Sequence, residues 1–223
     1  MNVIFEIYKT LLKKFGKQGW WPTTKANSLI PVYDKNFPKK RRTEREKLEI
    51  AIGAILTQNT TWKNVEKAIK NLKKNGLLNR KKLKEISVEE LANYIRSSGY
   101  FKQKAKKIKA YIEFKGKVTR KNLLKIWGVG KETADSILLY AYNKPIFVID
   151  AYTKRILSRI GFNAKTYEEF QNIFHNNLRR NHIIFNEYHA LLVKLAKEYC
   201  KKNNPLCEKC PILKFCNYGK SKV

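Results

Sequence analysis

Residues 123–156 read LLKIWGVGKETADSILLYAYNKPIFVIDAYTKRI and contain a tight glycine turn, Gly128-Val129-Gly130, between two apolar segments of helical period. The apolar positions that predict the two helices are Leu123, Leu124 and Trp127 before the turn and Ala134, Ile137, Leu138 and Ala141 after it. A helix that begins at a glycine turn presents main-chain N–H groups and the positive end of its dipole. The turn is therefore a predicted phosphate site.

A carboxylate follows this turn at a short distance along the chain. Pro145 and a short apolar run lead to Asp150, and the apolar positions Ile156, Leu157 and Ile160 predict a helix that begins after it. An Asp at this place is often no more than a helix cap. A predicted phosphate site near a fixed carboxylate is nevertheless the combination around which the chain is organised.

The composition favours a polyanionic partner. The 223 residues include 48 Lys+Arg against 18 Asp+Glu, which gives a formal net charge of +30. Such an excess creates a positive field that recruits nucleic acid, with an acidic membrane surface as the alternative. No apolar run has the length of a membrane span, and no signal peptide is recognisable at the N-terminus. We therefore expect a cytoplasmic, nucleoid-associated protein whose partner is a nucleic acid. We also expect it to be a monomer.

All four cysteines lie near the C-terminus with the spacing C-x6-C-x2-C-x5-C. They are Cys200, Cys207, Cys210 and Cys216. Four clustered thiolates suit a [4Fe–4S] cluster or a tetrahedral zinc ion. Zinc ribbons usually carry two C-x2-C pairs and this chain has one, so spacing alone favours iron–sulfur only modestly. The three histidines show no ligand spacing with the cysteines, and we expect them to be surface or cap residues.

Helical periodicity is nearly continuous along the chain and strand alternation is nearly absent, so the predicted fold class is all-α. Capping patterns at Thr43/Glu46, Ser87/Glu90 and Thr166/Glu169 mark three helix starts. A long helix is predicted from about His182 to Lys202. The segment from Lys14 to Tyr33 is irregular and contains Gly19-Trp20-Trp21-Pro22.

Taken in order, Ile55-Leu56-Thr57-Gln58-Asn59-Thr60, the glycine turn, Asp150 and the cysteine tail resemble the endonuclease III branch of the helix-hairpin-helix DNA glycosylases. The resemblance covers essentially the whole chain. It implies a six-helix barrel domain with the helix-hairpin-helix at residues 38–144, and a second helical domain from residues 1–37 and 145–223. The loop 200–216 would carry a [4Fe–4S] cluster, and a damaged base would be flipped out of double-stranded DNA.

The resemblance also implies roles for individual residues. Asp150 would be catalytic, stabilising charge at the sugar or orienting a water, and Asn59 or Gln58 would fill the gap left by the flipped nucleotide. The implied DNA-binding residues are Gln58, Asn59, Gly128, Gly130, Lys131, Thr133, Lys154 and Arg155. Lys102 and Lys104 are further candidates for phosphate contacts.

One departure from the family pattern concerns the reaction. Bifunctional members read G-V-G-R-K-T-A and use that lysine as a nucleophile, whereas this chain reads Gly128-Val129-Gly130-Lys131-Glu132-Thr133-Ala134. One residue along a helix is a turn of about 100°, so Lys131 is expected to point away from the nucleophile's position. We therefore predict a monofunctional hydrolase that lacks lyase activity.

A second departure concerns the substrate. The sequences G-K-E-T-A-D, T-Q-N-T and W-W-P look like the 3-methyladenine DNA glycosylase III subgroup, which implies a base pocket formed by Trp20, Trp21, Pro22 and Leu48. An N-alkylated purine is electron-poor and stacks well on indole. The alternatives are a bifunctional glycosylase/lyase for oxidised pyrimidines, a mismatch uracil or thymine glycosylase, and a non-catalytic DNA-binding module. Trp20 and Trp21 could also simply seal a domain interface.

Overall fold

The computed structural model describes residues 2–36 and 39–223, and it confirms the all-α prediction. The helices are α1 (Val3–Phe15), α2 (Glu44–Leu56), α3 (Trp62–Lys74), α4 (Arg80–Glu85), α5 (Val88–Tyr94), α6 (Phe101–Glu113), α7 (Arg120–Leu123), α8 (Lys131–Ser136), α9 (Ala151–Ile160), α10 (Tyr167–Asn177), α11 (His182–Glu198) and α12 (Asn217–Lys220). A π-helical segment, Ile137–Ala141, continues α8. Strands β1 (Thr23–Thr24) and β2 (Pro31–Val32) form a short antiparallel ladder.

The predicted helix starts agree with the structure. Thr43 and Thr166 each form a complete capping box with the Glu three residues later. The Ser87 side chain accepts a hydrogen bond from the Glu90 main chain, and Asp150 caps α9. Helix α11 ends at Glu198, four residues before the predicted end, because the chain turns at Tyr199 into the cysteine loop.

The main-chain contacts divide the chain into two units. The terminal unit comprises the described residues of Met1–Trp20, Asp34–Lys39 and Lys144–Val223, and the central unit comprises Trp21–Tyr33 and Lys40–Asn143. The expected boundary at residues 37 and 38 lies outside the described residues. Segment Trp21–Tyr33, which we expected with the terminal segment, instead contacts α2 of the central unit through β1.

Helix α2 is the core element of the central unit, because its last nine residues, Leu48–Leu56, are all buried. The indole of Trp21 packs directly against Gly53, since a Cβ at this position would lie 2.9 Å from the ring. Trp21 is only 4% exposed, and it packs edge-on against Trp62 and at a tilt against Tyr140. The indole is therefore fixed by its surroundings.

A buried ion pair attaches the strand after Trp21 to the same helix. The carboxylate of Glu49 accepts hydrogen bonds from the main-chain N–H of Thr24 at 2.8 Å and from its hydroxyl at 2.7 Å. The guanidinium of Arg45 donates to Glu49 at 2.9 Å and also to the carbonyl of Thr24. The pKa of Glu49 is raised, because the effect of burial outweighs the Thr24 hydrogen bonds and the Arg45 charge, which lower it. All polar groups of Thr24 are thus held by α2.

The terminal unit is built around α11, which packs against α1 and α9. Its core is aromatic: the ring of Phe147 stacks on that of Phe174 with centroids 3.5 Å apart, and Tyr188 packs edge-on against both. The Tyr188 hydroxyl donates to the carbonyl of Ile4 at 2.9 Å and so binds α1 to α11. In the part of the chain that the structure describes, no helix is long and apolar enough to cross a membrane.

Replacing Glu49 by alanine is expected to lower the free energy of unfolding by about 2 kcal/mol, because it leaves Arg45 and Thr24 without their buried partner. Urea denaturation of the two proteins measures the change. Glu44→Ala is the matched control, since Glu44 pairs with Lys47 on the same helix but its side chain is 86% exposed. It should change the stability by less than about 0.5 kcal/mol. Equal effects of the two substitutions would contradict the structural role of Glu49.

Candidate functional site

The glycine turn joins α7 to α8 as a closed hairpin. The Val129 N–H donates to the carbonyl of Ile126 at 3.1 Å, and Gly128 has a φ of +79°, a region that favours glycine. A Cβ on Gly128 would also overlap the side chain of Lys107, which covers the turn. A bidentate ion pair between Arg120 of α7 and the fully buried Asp135 of α8 holds the two helices together, with its shorter contact at 2.7 Å.

The start of α8 has the features of an anion site. Gly130 is its N-cap residue and makes no side-chain capping bond, unlike the Thr, Ser and Asp residues that cap α2, α5 and α9. The N–H groups of the first turn coincide with the positive end of the helix dipole. Lys131 and Glu132, the first residues of α8, are both exposed.

The side chain of Gln58 stabilises the hairpin through hydrogen bonds. Its side-chain amide donates to the carbonyl of Gly128 at 3.1 Å and to the hydroxyl of Thr133 at 3.0 Å. Its oxygen accepts a 2.5 Å hydrogen bond from Lys107. Gln58 and the buried Thr133 thus have internal partners, which differs from their expected role as DNA contacts. Asn59 is exposed with a φ of +51° and is the better candidate to enter the DNA.

Two of the expected phosphate-binding cations have internal partners as well. Lys104 is 2% exposed and donates to the carbonyls of Leu56 at 2.8 Å and Ser98 at 2.6 Å. Burial, with a smaller effect of Lys107, lowers the pKa of Lys104 to about 8. Arg155 donates to the carbonyl of Cys200 at 2.9 and 2.8 Å. Lys102 and Lys154 are exposed, and for them the prediction stands.

Asp150 lies at the N-terminus of α9 in the terminal unit, as predicted. Its carboxylate accepts a 2.7 Å hydrogen bond from the main-chain N–H of Thr153, and the side chain is 14% exposed. The second oxygen lies 3.6 Å from Nε2 of His189 on α11. Burial alone would raise the pKa of Asp150, but His189 and the Thr153 hydrogen bond together lower it below its ordinary value. The carboxylate is therefore ionised at neutral pH.

His189 is a candidate site residue that the sequence did not indicate. We expected the histidines on the surface or at caps, but His189 is 6% exposed and faces Asp150. Nε2 of His175 likewise accepts a 3.1 Å hydrogen bond from the main chain of Phe147. Helices α9 and α10 and the start of α11 lie between Asp150 and His189 along the chain, so local spacing gives no signal. Only the packing of α11 on α9 brings them together.

The predicted base-pocket residues lie in different places. Trp21 and Pro22 are buried in the central unit, whereas Trp20 is half-buried in the terminal unit. Leu48 lies on α2 about 140° around the helix axis from Gly53, the residue against which Trp21 packs. It lines a separate surface cavity with Tyr111 and Tyr142. The structure therefore does not bring Leu48 to Trp21.

The four cysteines line one cavity of the terminal unit, which also contains the side chains of Arg159 and Tyr218. Tetrahedral zinc would need the four sulfurs about 3.8 Å apart. Within residues 2–36 and 39–223, no three His, Cys, Asp or Glu side chains converge closely enough to hold one ion. Four thiols around a shared cavity are the donor set that a thiolate-ligated metal centre requires. Burial raises the pKa of Cys210 to about 11, so metal binding there would release protons.

The comparisons with known proteins agree with this geometry. Residues 52–180 match the model of the "HhH-GPD superfamily base excision DNA repair protein" family. The chain is 41% identical over 233 residues to "Putative DNA repair glycosylase MJ1434" of Methanocaldococcus jannaschii, covering 96% of each. It is 30% identical to endonuclease III of Thermotoga maritima over 201 residues, covering 85% of this chain and 92% of that protein.

A solved structure adds to these relatives. It is the H. pylori 3-methyladenine DNA glycosylase (MagIII) bound to 1,N6-ethenoadenine, with a TM-score of 0.70 and 29% sequence identity. The match covers 87% of this chain and 97% of that one. The family match extends over more than half of the chain and includes both the hairpin and Asp150. The chain therefore belongs to the HhH-GPD superfamily of base excision DNA repair proteins and, within it, to the endonuclease III family of DNA glycosylases.

Proposed function

We propose that this protein is a monofunctional DNA glycosylase that hydrolyses the N-glycosidic bond of alkylated purines such as 3-methyladenine. The observation that carries the proposal is Glu132. It stands at the second residue of α8, where the bifunctional pattern has its nucleophilic lysine, while Asp150 keeps its place at the start of α9. A carboxylate cannot form a Schiff base with the sugar, so the strand would stay intact after base release.

The aromatic character of the central unit supports an alkylated purine as the substrate. Trp21 is locked between Gly53, Trp62 and Tyr140 and is only 4% exposed, so as a proposed wall of the base pocket it would be a rigid indole that a base meets at its small exposed part. Such a wall favours an electron-poor or cationic base by stacking and cation–π attraction. The similarity to a 3-methyladenine glycosylase at 29% identity points in the same direction. Trp20 and Pro22 are proposed as further pocket residues.

Asp150 is the proposed catalytic residue. An alkylated purine is a good leaving group, so the main requirement is a fixed negative charge beside the developing oxocarbenium ion of the sugar. His189 is a positioning residue, because it acts through Asp150 and favours the ionised carboxylate. The start of α8 would hold a backbone phosphate, and Asn59 would occupy the space of the flipped nucleotide. These contacts position the duplex without reading its sequence.

A [4Fe–4S] cluster is the proposed cofactor, with Cys200, Cys207, Cys210 and Cys216 as its ligands. Bound there, it would cross-link the loop 200–216 through four thiolates, which is a structural contribution. The loop is also attached to α9, the helix whose N-cap is Asp150. Arg155 and Arg159 of α9 donate hydrogen bonds to the main-chain carbonyls of residues 200–202. Order in the loop and order in α9 are therefore coupled within the terminal unit.

The first expected outcome is release of methylated purines from alkylated duplex DNA, with strand breaks only after alkali treatment. Chromatography of the freed bases and gel analysis before and after alkali measure both steps. Breaks without alkali would show lyase activity and favour the bifunctional alternative. Absence of released methylpurine would favour the alternative substrates, which are oxidised pyrimidines and mismatched uracil or thymine. Absence of any released base would favour the non-catalytic DNA-binding module.

Asp150→Asn is expected to lower the single-turnover rate of base release by at least about 1000-fold, because the amide lacks the negative charge. DNA affinity should change by less than about threefold, because the amide oxygen can still accept the capping hydrogen bond of α9. Single-turnover kinetics and fluorescence anisotropy measure the two quantities. Glu89→Gln is the control for loss of an acidic side chain elsewhere, because Glu89 is exposed in the first turn of α5, and it should change neither quantity. Wild-type turnover by the Asp150 variant would refute the assignment.

His189→Gln is expected to move the acid limb of the pH–rate profile upward. His189 is the largest cause that lowers the pKa of Asp150, so its loss raises that pKa, and the carboxylate then becomes protonated at a higher pH. Rates measured from about pH 4 to about pH 8 give the shift. His182→Gln, at the first residue of the same helix, should leave the profile unchanged. An unchanged profile for His189→Gln would show that the histidine does not tune Asp150.

A further inference from the structure

A carboxylate lies beside the aromatic cluster that contains Trp21. Glu66 is on α3, one helical turn after Trp62, and both side chains are half-buried. The indole N–H of Trp62 donates a 2.7 Å hydrogen bond to Oε1 of Glu66. The ring of Trp62 lies perpendicular to that of Trp21, with the two centroids 5.2 Å apart. We call Trp21 and Trp62 the tryptophan pair, and Glu66 is held at its edge.

Glu66 accepts a second hydrogen bond but has no cationic partner. The hydroxyl of Tyr33 donates to the same carboxylate oxygen at 3.3 Å. Partial burial raises the pKa of Tyr33 to about 12, and the charge of Glu66 contributes to this rise. Within residues 2–36 and 39–223, Glu66 forms no ion pair with a Lys or Arg, although the chain contains 48 of them. Its negative charge is therefore not neutralised by a neighbouring side chain.

Hydrogen bonding alone does not require a charge at this position. The amide oxygen of a glutamine could accept the same two hydrogen bonds from Trp62 and Tyr33. The carboxylate adds a negative charge in a partly desolvated place, where charges interact more strongly than in water. Indole faces and a nearby carboxylate both attract a positively charged ring. The combination therefore suits a cationic planar ligand.

Damaged purines fall into two classes according to their charge. Methylation of a deoxynucleoside at N3 of adenine or at N7 of guanine leaves a positive charge on the purine. Hypoxanthine and 1,N6-ethenoadenine are neutral. Both classes have a flat ring that can stack on indole, so stacking separates them less well than a fixed negative charge does.

We propose that Glu66 is a specificity residue that favours cationic purines over neutral ones at the tryptophan pair. The carboxylate attracts the charge of the base and acts at a distance from the bond that breaks. The cationic base carries one more positive charge than the neutral base both in the ground state and in the transition state, so the preference acts on both. This inference rests on the proposed function and deepens it by naming the charge class of the substrate.

The test is fluorescence anisotropy with the full-length protein and two duplexes that differ at one base. One contains 2′-fluorinated 7-methyldeoxyguanosine, which is cationic and resists hydrolysis, and the other contains its neutral isostere, 7-methyl-7-deazaguanine. The wild type is expected to bind the cationic duplex about tenfold more tightly. Glu66→Gln should remove this preference and leave the affinity for the neutral duplex unchanged, because the amide oxygen can accept both hydrogen bonds.

Glu66→Asp retains the charge and should keep part of the preference. Glu113→Gln, at the exposed end of α6, is the control and should leave the preference unchanged. Equal binding of the two duplexes by the wild type would overturn the proposal. So would an equal loss of both affinities in Glu66→Gln, because that is the result of a purely structural role.

Neither duplex is cleaved, so this experiment is independent of catalysis. Release of methylpurines by a protein without the cationic preference would refute the role of Glu66 alone. A cationic preference without release of methylpurines would refute the proposed hydrolysis and leave the role of Glu66 in binding intact.

Discussion

The burial of α2 is the constraint on which the central unit depends. A helix buried over nine consecutive residues cannot leave polar groups without partners, so each group along it needs a defined neighbour. Glu49 meets Arg45 and Thr24, and the carbonyl of Leu56 meets Lys104. These contacts fix the strand beside Trp21 and the end of the helix. The loop that carries Gln58 begins directly there, so support of the hairpin follows from the same constraint.

In the terminal unit the corresponding constraint is the partial burial of an ionised carboxylate, that of Asp150. Removing Asp150 from water penalises its charge, and the structure offsets this with the Thr153 N–H and with His189. The helix dipole of α9 acts in the same direction. The result is a fixed negative charge that need not reorganise when positive charge develops nearby, which is the property that electrostatic catalysis requires.

The sequence predicts those features whose cause is local. The caps at Thr43, Thr166 and Asp150, the glycine turn and the grouping of the cysteines all depend on residues a few positions apart. The outward position of Trp127 also has a local cause: the α-helical period predicts an inward side chain, but the segment before the turn has three-residue hydrogen bonds.

Features that depend on packing between distant segments could not be predicted. His189 meets Asp150 only because α11 packs on α9. Lys104 is buried because α6 packs against α2 and its ammonium group donates to the carbonyl of Leu56, although Lys102 and Lys106 on the same helix are exposed. The net charge does not show which cations face solvent, since Arg80, Lys104, Lys109, Arg155 and Arg159 all donate to main-chain carbonyls. Positive side chains satisfy the free carbonyls at helix ends and loops, where the dipole also favours them. Part of the +30 charge therefore stabilises the fold, and the field that attracts DNA comes chiefly from the lysines that remain exposed, including those beside the hairpin.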